Sequence, residues 1–129
     1  MYNRFLITLI FITSTLFSLG QDFARATYYE FGFVDTLTQE VDWSDKVKMD
    51  PALVSMGSRN LKIHTEKFQQ YFFKSSRYEL SEVKGYYYYS YTPEGKECVI
   101  YIYTENDGLT YLEIENQNYV IRYHLIDLE

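Results

Sequence analysis

Cys98 is the one cysteine of the 129-residue chain and the first residue to weigh for chemistry. A nucleophilic or redox thiol needs a partner base and an electropositive setting. The nearest charge is Glu97, which opposes thiolate formation. Cys98, Ile100 and Ile102 share one face of a period-2 stretch, with Val99, Tyr101 and Tyr103 on the other. The thiol therefore reads as a small core residue. A single cysteine also excludes a disulfide within the chain, so a hydrophobic core alone must hold the fold.

His64 and His124 are the only histidines. A zinc site needs several ligands at characteristic spacings. These two lie on different hairpins with no Cys or carboxylate at ligand spacing, and they read as rim or surface residues at strand ends. Carboxylates crowd the turns and strand ends: Asp42, Asp45, Glu94, Glu97, Glu105, Asp107, Glu113 and Glu115. A glycosidase requires a pair at a defined separation across a cleft, and spacing alone selects none. Glu113 and Glu115 read as a solvated strand face. Glu105-Asn106-Asp107 lacks the EF-hand pattern and reads as a plain turn. Neither enzymatic activity nor a metal or cofactor is expected.

The most distinctive stretch is Tyr86-Tyr87-Tyr88-Tyr89-Ser90-Tyr91. In a strand its tyrosines alternate between faces, so part of the row must point outward. Tyr101 and Tyr103 are placed to lie opposite on the next strand. Such rows stabilise a sheet through cross-strand pairs. Exposed, they also stack sugars or dock proteins at little entropic cost. Tyr87, Tyr89, Tyr91, Tyr101 and Tyr103 are accordingly the candidate partner-binding residues.

These residues need strands to position them. Period-2 runs bounded by turn residues predict strands over 26–34, 52–56, 61–65, 68–73, 78–83 (weak), 85–91, 97–104, 109–115 and 119–127. Val41 and Trp43 suit a further short strand, and Gly32 suits a bulge or bend. Pro51 is read as opening a new segment. Residues 57–60, Thr92-Pro93-Glu94-Gly95 and Glu105-Asn106-Asp107-Gly108 are turns. Residues 23–29 are read as able to hold one helical turn, and no segment shows sustained helical periodicity. The expected fold is all-β: a single antiparallel meander of about eight strands closing into a small barrel or half-barrel, with a β-sandwich as the alternative.

The first twenty residues carry one charge, Arg4, then an apolar run from Phe5 to Phe17, then Ser18 and Gly20 at signal-peptidase spacing. Residues 1–20 are therefore read as a cleaved signal peptide and 21–129 as one domain. The run is short for a membrane span, so none is expected after cleavage. Export ends in the periplasm or outside the cell. The chain is acidic, with a formal charge of −6, and losing Arg4 makes the remainder more so. That disfavours nucleic acid and anionic lipid as partners.

The order of Asp42-Trp43-Ser44, Asn60-Leu61-Lys62-Ile63-His64-Thr65, Gln69-x-Tyr71-x-Phe73, the run from Pro93 to Ile100 and a final strand from Tyr119 resembles small secreted β proteins of Bacteroidetes with no assigned activity. The resemblance covers about residues 23–126 and departs where such sequences show a second tryptophan near the first. It implies a Gram-negative envelope location and supplies no catalytic residues. The leading functional expectation is a non-enzymatic exported interaction module that binds a protein or an envelope component such as a glycan. The alternative is a lipocalin-like carrier of a small apolar ligand.

Overall fold

Alternating apolar and polar side chains, rich in tyrosine and β-branched residues, give strands throughout. The computed structural model describes residues 21–128; the expected signal segment lies outside the described residues. The elements are β1 (Gln21–Val34), β2 (Val41–Trp43), β3 (Val47–Met56), β4 (Asn60–Ile63), β5 (Gln69–Phe73), β6 (Tyr78–Glu79), β7 (Lys84–Tyr91), β8 (Glu97–Thr104), β9 (Thr110–Glu115) and β10 (Tyr119–Asp127).

Eight of them form a closed antiparallel barrel in the order β1-β3-β4-β5-β7-β8-β9-β10, with β10 returning to pair β1. The closing ladder runs from Ala24 opposite Asp127 to Phe33 opposite Tyr119. Two short strands lie outside this circuit: β2 extends the edge of β1 below β3, and β6 pairs the first half of β7. The expected barrel is thus present, and the sandwich is not. Tight turns set the register. Gly95 and Gly108 both have φ of 84°, the left-handed conformation glycine adopts without steric cost. Asp107 accepts the Leu109 N–H at 2.8 Å, so the acidic stretch at 105–108 is a turn, as its sequence implies.

The barrel interior is a packed core. Val54, Leu61, Ile63, Ile100, Leu112 and Ile114 are all at most 1% exposed, and they join Ala24, Ala26, Tyr71, Cys98, Ile102, Tyr123 and Leu125 in one cluster. An eight-stranded barrel is just wide enough for side chains to fill. Cys98, Ile100 and Ile102 face inward as expected, leaving Val99, Tyr101 and Tyr103 on the outer wall. Burial pushes the Cys98 thiol up to about 11.

Several local expectations need correction. Residues 23–29 are strand, not a helical turn, because both edges of β1 are hydrogen-bonded, to β10 and β3. β1 bulges at Thr27, where Ala26 pairs Leu125 and Tyr28 pairs His124, and toward β3 also at Phe23, while the ladder through Gly32 is regular. Pro51 does not open a segment but sits within β3, where the ladder to β1 slips between Ala52 and Lys48 and no N–H is required. The strand expected over 78–83 stops at Glu79, since Leu80 N–H turns back to the Gly85 carbonyl at 3.0 Å.

Two outcomes follow. Ile100→Ala should lower unfolding free energy by about 3–4 kcal/mol in urea titration, the usual cost of emptying a filled core position. Cys98 should resist a water-soluble thiol reagent in the native protein and react stoichiometrically once denatured.

Candidate functional site

On β7 the inner and outer rows separate cleanly. Ser90 is 1% exposed and points inward with Tyr86 and Tyr88; Tyr87, Tyr89 and Tyr91 point outward. Tyr87 lies opposite Tyr101 on β8, and Gly85 opposite Tyr103. All five candidate tyrosines therefore stand on the outer wall, with Tyr89 and Tyr91 the most open at 46% and 36% exposure. Tyr78 on β6 joins them: its ring stacks on Tyr87 at 5.3 Å and meets Tyr89 edge-on at 5.8 Å. Tyr87 in turn contacts Tyr101 at 5.6 Å. Its sequence pattern marks Tyr78 only as part of a weak strand; it reaches the ladder because residues 74–77 loop back over β7.

Tyr91 and Tyr103 have additional duties. Lys74 Nζ sits 5.6 Å from the Tyr91 ring centre and 2.7 Å from Glu97 Oε1. Tyr103 donates its hydroxyl to Glu113, and both burial and that carboxylate push its ionisation upward. Tyr101 rises to about 12, first through burial and then through Glu115 and Glu113.

Beyond Tyr103 the outer wall holds a charge network absent from the sequence reading. Arg122 on β10 lies between two carboxylates, with NH1 at 3.8 Å from Glu30 and Nε at 3.6 Å from Glu113. Its guanidinium covers the Trp43 ring at 3.9 Å. His124 Nε2 bonds Glu30 and, since a carboxylate only accepts, must carry the hydrogen. Glu113 is thus not on a fully solvated face, and His124 is not a rim residue: both side chains are 17% exposed in mid-wall. Cross-strand pairing, Arg122 opposite Glu113 and Glu30, creates the network. The signal lay in the register, which spacing along one chain does not reveal. Gly32 makes room for Trp43; a Cβ there would lie 2.4 Å from Val41 Cγ1 and 3.0 Å from Trp43 Cε3.

His64, exposed at the end of β4, matches its expected rim position. Its Nε2 is 3.0 Å from Ser55 Oγ, which donates to Asp22. Among the described residues no group of three or more His, Cys, Asp or Glu is placed to hold a metal ion.

Two grooves border the tyrosine wall. The larger, about 960 Å³, is open and lies at the end of the barrel between the β7–β8 and β9–β10 turns, lined by outward Tyr89 and Val99, inward Ser90 and Cys98, and by Glu115 and Tyr119. The smaller, about 340 Å³, lies beneath the 80–83 loop and is walled by Tyr101, Tyr103, Glu105, Glu113 and Glu115. Glu115 borders both. Crowding around its carboxylate, and then Glu113, raises its pKa although the residue keeps contact with solvent.

No helix among the described residues is long and apolar enough to cross a membrane. No family model and no curated protein matches the sequence, and no solved structure matches the fold.

Gly32→Ala should displace Trp43 from Arg122, shift emission of the single tryptophan to the red, and lower stability by about 1–2 kcal/mol. Glu115→Gln tests the raised carboxyl. A raised folded-state pKa means Glu115 favours folding while protonated and ceases to as pH rises through that pKa. The variant should therefore melt higher than wild type at pH 7, and the difference should vanish well below 4.5, the ordinary value.

Proposed function

We propose that this protein is an exported, non-enzymatic interaction module that docks a protein partner on the tyrosine wall of β6, β7 and β8. The observation that carries this reading is the open ladder of Tyr78, Tyr87, Tyr89 and Tyr101, flanked by two grooves. Tyrosine offers large, rigid contact area with a polar tip, the composition of protein-binding surfaces. The rings already brace one another, so little ordering entropy remains to be lost on docking. Export rests on the apolar N-terminal segment and its small residues before Gln21. The rival carrier reading draws on the barrel shape itself. Its interior volume is taken up by Leu61, Ile63, Ile100, Leu112 and Ile114, which favours the outer wall as the working surface.

A photo-crosslinking side chain in place of Tyr89, in cells that make the protein, tests the module directly. The expected result is one adduct of defined mass at Tyr89, with none from the same group at Leu37, which is 93% exposed on the β1–β2 turn. Ala at Tyr87 and Tyr89 together should weaken that partner's affinity at least about tenfold, as central tyrosines do. Equal adducts at both positions would contradict a specific wall. A stoichiometric apolar ligand in native mass spectra would favour the carrier.

A further inference from the structure

The smaller groove combines three features that together define a chemistry. Its floor is aromatic, from the half-buried rings of Tyr101 and Tyr103. Its lip is apolar, from Leu80 and Val83. Its remaining lining is acidic, and Glu82, Glu105 and Glu115 form no ion pair with any described residue. Glu113 differs, because Arg122 and Tyr103 already engage it.

We propose that this groove receives a single lysine or arginine side chain from a basic segment of the partner protein. The proposal rests on the tyrosine wall being a docking surface and names what that surface recognises. An aliphatic stem fits along Leu80 and Val83, and a cationic head fits between aromatic faces and carboxylates, where ring quadrupoles and charge act together. About 340 Å³ accommodates one long side chain and not a folded element. Arg122 cannot serve as the internal occupant, since Glu30, Glu113 and Trp43 already hold it. A sugar would stack on the aromatic floor and donate hydroxyls to the carboxylates, but it would leave their negative charge uncompensated, which a cation does not. The acidic balance of the whole chain steers a basic partner toward the groove and weakens with salt.

The test is an NMR titration of the purified protein with capped Gly-Gly-Lys-Gly-Gly, its arginine counterpart and the lysine-acetylated peptide. Saturable shifts at Tyr101, Tyr103 and Glu115 are expected for the two cationic peptides, with weak affinity. Affinity should fall roughly threefold or more in Glu115→Gln, and acetylation should abolish the response. Equal shifts from the acetylated peptide, or no groove shifts from either cation, would overturn the proposal. Charge-independent shifts confined to Tyr78, Tyr87 and Tyr89 would also overturn it while leaving the docking wall standing. Loss of the Tyr89 crosslink with an intact cation response would remove the wall reading instead. Glu105→Gln, on an exposed turn, repeats the charge test should Glu115→Gln alter the fold.

Discussion

The ladder between β1 and β10 is the constraint on which everything else depends. It joins the two ends of the folded chain and turns a meander into a barrel. Without it two edges would be open, and the cluster that includes Ala24, Ala26, Tyr123 and Leu125 would lose a wall. The chain has no disulfide to substitute for it, because Cys98 is alone and buried. The same ladder aligns Glu30 with Arg122 and Tyr28 with His124, so closure also assembles the charge network outside. Non-local pairing of this kind is entropically expensive until the whole circuit forms.

Closure divides the molecule into an inside that holds the fold and an outside free to vary. Inward positions are mostly aliphatic, joined by Cys98, Ser90 and the rings of Tyr86 and Tyr88, and they include a polar patch in which Tyr71 donates to Gln69 at 2.6 Å and Gln69 donates to Tyr123 at 3.3 Å. That patch is satisfied internally, as buried polar groups must be. Outward positions split into two regions. Around Arg122 the charges are mutually engaged and roofed by Trp43. Around Tyr101 they are not, and the wall is indented. A paired charge network and a groove whose Glu82, Glu105 and Glu115 form no ion pair with any described residue thus stand a strand or two apart on the same wall.

Much of the architecture could be read along the chain, because strands of alternating residues and glycine turns carry local signals. The facing of Cys98, Ile100 and Ile102, the alternation of the tyrosines along β7, and the turns at Gly95 and Gly108 are all consequences of period and dihedral preference; which tyrosine set faces outward is fixed by pairing with β8. What escaped was set by register. Glu113 appeared solvated because its partners, Tyr103 and Arg122, stand on other strands. His124 appeared peripheral because Glu30 lies 94 residues away. Tyr78 was hidden by a loop whose return path has no sequence signature. The bulge went to Thr27 because two ladders must slip together there, a demand no single strand expresses.

The central claim, a barrel closed by its first and last long strands, is tested most directly by native-state amide hydrogen exchange. Closed circuits have no fraying edge, so amides of β1 and β10 bonded across the ladder should exchange only through global unfolding, with the same free energy as those of β8. Protection of β8 amides together with fast, local exchange along β10 would show an open sheet and contradict the account.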